Sequence, residues 1–228
     1  MMQKYFFILL CLLVVSGFAQ PKFSEMAVSP GAFSRLGFGA RGIGLGNAVS
    51  SITEGELVSY YNPAITPFQE KNSFQTGYSF LSLDRALNFL SYTRKFDFYS
   101  ASDTVSETRK PRTTAGLSVG ILNSGVSNID GRDNNGISTG ELSTSENQFF
   151  MGLAAKISNK LALGLSIKYY YYKLYEEISS TSLGFDIGAL YRLNDNFNIS
   201  LVITDLNSAY QWDTAPVYEQ NGITTEDK

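Results

Sequence analysis

The chain has 228 residues, of which 43% are hydrophobic, 14% aromatic and only 17% charged, with a formal net charge of -3. The apolar content excludes a disordered chain, and the length suits one domain or at most two small ones. With no His and one Cys, the common zinc, haem and iron–sulfur ligand sets and the Ser-His-Asp and Cys-His nucleophile systems lack their residues. We expect no enzyme, cofactor or metal, and no nucleic-acid partner, which would need a basic face.

Residues 1–19 have the pattern of a secretory signal peptide. A basic residue precedes the ten-residue apolar run from Phe6 to Val15, and small residues, Gly17 and Ala19, stand before a cleavage position. The alternative is an uncleaved membrane anchor, but the run is half the length that a spanning helix needs. We therefore expect export and cleavage after Ala19.

The segment 20–72 contains the motifs Gly37-Phe-Gly-Ala-Arg-Gly42 and Tyr60-Tyr-Asn-Pro-Ala64. The first matches the G-x-G-x-x-G pattern of dinucleotide-binding folds, but the strand and helix that must flank that pattern are not evident. Further glycines at Gly44 and Gly46 favour close backbone packing in a confined space. Asn62-Pro63 predicts a rigid turn.

From residue 73 onward, apolar residues alternate with small or polar ones at the period of a β-strand. In 161–174 the odd positions up to 171 are Leu, Ile and Tyr, whereas the even ones up to 168 are Ala, Gly, Ser and Lys. Such a strand meets the length of about 9–11 residues that spans a bilayer. The alternation predicts seven strands, over 73–83, 86–99, 113–122, 149–157, 161–174, 181–193 and 197–205.

The small, polar face of these strands carries Lys168, Asp186 and Arg192, which suits a polar lumen with the apolar face toward lipid. Tyr169 to Tyr172 are expected in an aromatic girdle at the outer headgroups, with Tyr169, Tyr171 and Tyr191 as the membrane-interface aromatics. The alternative for this Tyr run is a solvent-exposed sheet edge. The sequence thus predicts an all-β fold, an antiparallel transmembrane β-barrel of the outer-membrane type.

The connections alternate in length. Tight turns are expected at 158–160 and 194–196, facing the periplasm, and a long exterior loop at 123–147. The charged stretch 100–112 falls on the periplasmic side by this count and fits poorly.

Two acidic patterns have a plain interpretation. Residues 130–136 partly match a calcium-binding loop, but Gly131 and Leu142 stand where ligands belong, which favours a solvated turn over an ion site. Glu176 and Glu177 are adjacent and are interpreted as loop charges.

The strand count of seven is odd, whereas single-chain bacterial barrels have even numbers from eight upward. Residues 208–228 form a polar stretch where a terminal apolar strand would be expected. We therefore expect an incomplete barrel, with a signal peptide at 1–19, a hatch or plug at 20–72, barrel strands at 73–207 and a polar loop at 208–228.

The N-terminal motifs resemble those of the PorV/PorQ family of outer-membrane proteins, which is itself similar to the FadL barrels. The family has a "GARAxGMGGAF" stretch, an acidic spacer and a "YWNPA" or "YYNPA" box. This sequence departs from the family pattern at Gly42, Leu45 and Asn47 and, directly after the box, at Ile65. The matching hatch-motif residues are Gly39, Ala40, Arg41, Gly42, Gly44, Gly46, Tyr60, Tyr61, Asn62, Pro63 and Ala64, with Glu54 and Glu56 as the spacer.

The resemblance implies an outer-membrane location, contact with outer-membrane lipid, and a hatch in the barrel mouth. One functional hypothesis is a role in type IX protein secretion or surface attachment, with secretion-machinery proteins or exported cargo as partners. The alternative is a FadL-like channel for hydrophobic small molecules, which predicts an apolar pocket around Phe33, Leu36, Phe38 and Ile43. A second alternative is a structural outer-membrane protein.

Overall fold

A computed structural model describes residues 29–55, 58–99, 111–213 and 215. Its strands form one sheet in which each strand pairs antiparallel with the next along the chain. The predicted all-β fold with seven antiparallel strands is confirmed. The predicted signal peptide, residues 100–110 and most of the predicted terminal loop lie outside the described residues. The strands are β1 (Ser73–Leu81), β2 (Arg85–Phe98), β3 (Thr113–Arg132), β4 (Ser138–Lys156), β5 (Leu161–Lys173), β6 (Ser179–Arg192) and β7 (Asn198–Leu206).

Residues 29–72, here called the N-terminal segment, fold into short helices that pack on one face of the sheet. We call this face the covered face and the opposite one the exposed face. Among the described residues, no helix has the length and apolar character needed to cross a membrane. The helices are a 3-10 helix at Ala32–Leu36, α1 (Gly39–Gly44), α2 (Val58–Tyr61) and a second 3-10 helix at Pro63–Phe68.

The two faces of the sheet have the reverse of the usual polarity. In β5 the even residues from Ala162 to Tyr170 are buried on the covered face, although they include Ser166 and Lys168. The odd residues face outward, and Leu165 remains 49% exposed. β4 and β6 repeat this alternation. Among the described residues, none forms a layer over the apolar face of the sheet.

The core lies between the N-terminal segment and the covered face. One cluster is aromatic and joins Phe38 and Tyr60 to Leu87, Phe89, Leu122 and Phe150. The other is mostly aliphatic and joins Val58, Ala64, Ile65 and Phe68 to Ala162 and Leu190. Both clusters contain residues of the segment and of the sheet, so the segment completes the core on the covered face.

The prediction of a long loop at 123–147 is wrong. β3 and β4 continue as a paired hairpin to Arg132 and Ser138, with irregular register between Val126 and Ile129. Strand pairing needs only backbone donors and acceptors, and beyond the sheet both faces meet solvent, so no apolar alternation marks these residues. β2 begins opposite Val126 and β5 ends opposite Ser145, so residues 127–144, called the arm, extend beyond these two strands. At the base of the arm, the backbone N–H of Ser127 donates to the carbonyl of Asp84 at 3.2 Å.

The chain turns back over the covered face after β7. Asp205 and Asn207 have φ values of 58° and 62° in the left-handed region, which Asp and Asn adopt more readily than most residues. The backbone N–H of Ala209 then donates to Ser182 Oγ at 2.9 Å, and that of Gln211 donates to Ser180 Oγ at 3.0 Å. The described part of the predicted terminal loop is thus packed on β6.

Candidate functional site

The two motifs of the N-terminal segment contact each other. The Tyr61 hydroxyl donates to Asn47 Oδ1 at 2.9 Å and accepts from the backbone N–H of Phe38 at 3.0 Å. A Cβ at Gly42 would lie 2.6 Å from the Tyr61 hydroxyl oxygen, so any larger residue there would have to displace that hydroxyl. Arg41 also donates to the backbone carbonyl of Glu54 at 2.7 Å. The glycine-rich stretch and the Tyr-Tyr-Asn-Pro-Ala box therefore form one structural unit.

The packing explanation for Gly44 and Gly46 is wrong. A Cβ at either position would meet nothing within 4 Å, and both residues are exposed, as is Ala40. Gly46 instead has a φ of 58°, and Gly39 of 69°, which are conformations that favour glycine.

Asn62 fixes the start of the second 3-10 helix and joins it to the sheet. Its Oδ1 accepts from the backbone N–H of Ala64 at 2.9 Å, as an N-cap does. Its Nδ2 donates to the carbonyls of Ser50 at 2.8 Å and Ala189 at 3.4 Å. The side chain is fully buried, so these three contacts satisfy an amide that would otherwise be costly to bury. The predicted rigid turn at Asn62-Pro63 is the entry to this helix.

The second 3-10 helix rests on a row of small residues that crosses four strands. Gly116, Ala154, Gly164 and Gly188 are register partners on β3 to β6. A Cβ at Gly164 would lie 2.5 Å from the backbone nitrogen of Ala64. At Gly188 it would lie 2.2 Å from Asn62 Oδ1. We call this row the glycine seat, because its missing side chains leave the space that the helix fills.

The predicted polar residues of the covered face lie beside the N-terminal segment. Lys168 Nζ is 2.7 Å from an Asp186 carboxylate oxygen and 3.1 Å from one of Asp205. Asp205 also accepts from the Tyr170 hydroxyl, and its backbone N–H donates to Asp186 at 2.9 Å. Lys168 and Asp186 are both buried, so the Asp186 carboxylate depends on Lys168 for charge compensation, and Lys168 depends on Asp186 and Asp205.

This charged cluster touches the segment through Tyr60. Lys168 Nζ lies 5.1 Å from the Tyr60 ring centroid, and the Tyr60 hydroxyl donates to Gln148 at 3.4 Å. Burial raises the pKa of the Tyr60 hydroxyl, and the nearby Lys168 opposes that shift only in part. Burial likewise raises the pKa of Tyr61. Both phenols are therefore neutral hydrogen-bonding groups near neutral pH.

Arg192, the third predicted polar residue, lies at the opposite end of the second 3-10 helix. Its guanidinium is 4.7 Å from the Phe68 ring centroid, and Lys156 Nζ is 4.4 Å from the same centroid. Arg192 thus contacts the segment without joining the Lys168 cluster.

A cavity of about 350 Å³ opens at the junction between segment and sheet, and each residue that lines it carries a polar or charged group. The apolar pocket expected of a hydrophobic channel is not formed by the residues proposed for it. Phe38 is buried among other rings, and Leu36 and Ile43 are 56% and 50% exposed. The cavity is lined by Ser34, Arg35, Asn47, Tyr60, Tyr61, Lys168, Thr204 and Asp205.

The predicted interface aromatics Tyr169, Tyr171 and Tyr191 all lie on the exposed face. The wider prediction that Tyr170 and Tyr172 join them is wrong, because strand alternation turns both toward the covered face. Tyr170 is fully buried there.

The arm contains the acidic turn that partly matches a calcium-binding loop. Asp133 Oδ1 accepts from the backbone N–H groups of Asn135 and Ile137 at 2.9 and 2.8 Å, and Asp130 pairs with Arg132. Among the described residues, no group of three or more His, Cys, Asp or Glu side chains is placed to hold a metal ion.

Sequence reasoning missed the glycine seat and Asp205 as parts of the site. The small residues of the even positions are visible in the sequence, but their alignment into one row depends on the register of four strands. Comparison with models of protein families, with curated proteins and with solved structures finds no match to this chain.

Proposed function

We propose that the chain is an outer-membrane β-barrel protein whose N-terminal segment acts as a hatch. The observation that carries this proposal is the reversed polarity of the sheet. A soluble sheet buries its apolar face and exposes its polar one, whereas here Lys168 and Asp186 are buried and Leu165, Leu201 and Ile203 are 49%, 68% and 48% exposed. Lipid is the solvent in which such an exposed face is favourable.

The dimensions of the exposed face agree with a bilayer. On β5 the outward apolar residues run from Leu161 to Tyr171, which at about 3.4 Å per residue is about 34 Å along the strand. With a tilt of about 40°, this length spans about 26 Å along the membrane normal, close to the apolar band of about 25 Å on outer-membrane barrels.

The exposed face also has the stagger of tilted strands. Phe74, the first outward apolar residue of β1, lies in the register row that reaches β6 at Phe185. Phe197, the corresponding residue before β7, lies opposite Leu193, the residue after β6. We call the short-turn end of the apolar face its lower limit. From β1 to β7 this limit moves by eight residues relative to the register rows, from position 185 to position 193, which is about 1.3 residues for each of the six steps between strands. For strands about 4.8 Å apart and tilted by about 40°, a shift of about 1.2 residues per strand keeps this limit in one plane parallel to the membrane.

Within this class, we place a role in type IX protein secretion or surface attachment first. The support is the resemblance of the N-terminal motifs to the PorV/PorQ family, together with the arm, which projects beyond its neighbouring strands and offers a contact surface for exported cargo or secretion machinery. The buried ion pairs of Lys168 beside the cavity favour this role over a FadL-like channel for hydrophobic molecules. A purely structural role is the remaining alternative.

The membrane part of the proposal is tested by extracting the full chain from outer membranes and comparing boiled and unboiled samples on gels. A heat-dependent change in migration is expected of a barrel, and its absence would contradict the proposal.

The secretion part is tested by deleting the gene and complementing with the wild type or with a variant whose residues 127–143 are replaced by an Asn-Gly turn, which keeps Val126 paired with Thr144. Surface cargo stranded in the periplasm in both the deletion and the arm variant is the expected result. Normal secretion with lost growth on a hydrophobic carbon source would favour the channel instead. The arm variant must retain heat-modifiable migration, which separates lost contact from lost folding.

A further inference from the structure

The exposed face carries a groove of about 550 Å³ that crosses the strands from β2 to β6. It exists because Ala115 and Ala155, register partners on β3 and β4, are small while their neighbours are large. Four strand spacings of about 4.8 Å give the groove a length of about 19 Å. Its apolar lining includes Phe96, Ala115, Leu117, Leu153, Leu163 and Ile187.

A cation stands at the β2 end of this groove. The Arg94 guanidinium is 4.9 Å from the ring centroid of Phe96, which lines the groove. Arg94 is exposed on the same face as the apolar residues, and it makes no ion pair with any described residue. An arginine facing lipid is unfavourable at the bilayer centre and tolerated near the interface, where it can meet a phosphate.

The stagger of the sheet places Arg94 at the interface. Phe74 marks the lower limit of the apolar face on β1, and its register partner on β2 is Tyr92. A plane parallel to the membrane through Phe74 crosses β2 about one residue closer to the short turns than Tyr92. Arg94 therefore lies within about one residue of this level, and Phe96 and Phe98 continue the same face toward the short turns as aromatic residues of the interface. Because the groove follows the register rows across tilted strands, it rises by about 12 Å from β2 to β6, half of the apolar band.

We propose that this groove binds a phospholipid of the leaflet on the short-turn side, with its phosphate on Arg94 and one acyl chain along the groove. The proposal rests on the membrane location proposed above. A phospholipid joins an anionic headgroup to an apolar chain. The same order occurs along the register row that rises inward from Arg94 through the groove residues Leu117, Leu153, Leu165 and Ile187. The rise of the groove matches the depth of one leaflet.

The test is native mass spectrometry of the full chain in mild detergent, titrated with phosphatidylglycerol. Arg94→Gln should weaken phosphatidylglycerol binding about fivefold, the effect of one interfacial basic residue. Ala115→Leu, which fills the groove, should remove the bound lipid. The matched controls are Ala189→Leu, in the same register row but outside the lining, and Arg132→Gln on the arm; both should bind as the wild type does.

Equal phosphatidylglycerol binding by the wild type and Arg94→Gln would overturn the site, as would a lipid-free dimer in which a second copy covers the groove. Heat-modifiable migration is measured on the same samples. If the wild type inserts into vesicles and migrates as a barrel while Arg94→Gln binds normally, only the lipid site fails. If the wild type neither inserts nor migrates as a barrel, the membrane proposal fails and the site with it.

Discussion

Replacing Gly164 by Ala should release the N-terminal segment while leaving the sheet intact. The added Cβ would lie 2.5 Å from the nitrogen of Ala64 and 2.6 Å from the carbonyl carbon of Pro63, where ordinary contacts begin at 3.4 Å. The segment backbone must therefore move by about 1 Å. Overpacking of this kind costs about 2–3 kcal/mol, which raises the open population of the segment about 30- to 150-fold.

The opening is measured by the maleimide labelling rate of Ser59→Cys in a Cys11→Ser background, since Cys11 is the only cysteine of the chain. Ser59 is 3% exposed, so labelling reports the open state when closing is faster than reaction. Gly184→Ala is the matched control on the same face of the sheet. A Cβ there would lie 3.2 Å or more from the nearest side-chain atoms and 3.8 Å from the nearest backbone atom, so the substitution requires little movement. Equal labelling rates for Gly164→Ala and the wild type, in a sheet that still migrates as folded, would refute the role of the glycine seat.

Three further outcomes follow from the site and the exposed face. Lys168→Met leaves the buried Asp186 carboxylate without its cation and should lower the unfolding free energy by about 3–5 kcal/mol, and an unchanged urea midpoint would contradict this. Leu165→Arg should cost about 2–4 kcal/mol in a bilayer and reduce folding into vesicles, whereas Ile137→Arg on the arm should not; equal yields would argue against lipid contact. Because burial raises the pKa of Tyr60 above its ordinary value, the unfolded chain ionises first, so stability should decline from about pH 10 upward and less so in Tyr60→Phe. A flat profile of unfolding free energy between about pH 9 and 12 would contradict that assignment.

The strands could be predicted because the alternation of apolar with small or polar residues is a local property of the chain. In 161–174 successive side chains alternate between the two faces, so the sequence alone predicts that Lys168 shares a face with the small residues and Leu165 with the apolar ones. The same reasoning failed in the arm, where neither face of the hairpin is buried and polarity carries no period.

The contacts of the site could not be predicted because they depend on pairing between distant segments. By alternation along β7, Asp205 belongs with Leu201 and Ile203 on the exposed face. A register irregularity between Phe185 and Ile187 and the left-handed φ of Asp205 turn it toward Lys168 instead. Such a reversal is invisible to a rule that counts positions along one strand.

The glycine seat also sets an order of events in assembly. Its four members come from β3 to β6, and the segment that rests on it reaches further still, with Ser50 hydrogen-bonded to Ser200 across 150 positions. The segment precedes every one of these strands in the chain, yet its resting place does not exist until they have paired. Synthesis and docking therefore run in opposite directions, and the part of this fold that is made first is the last that can reach its place.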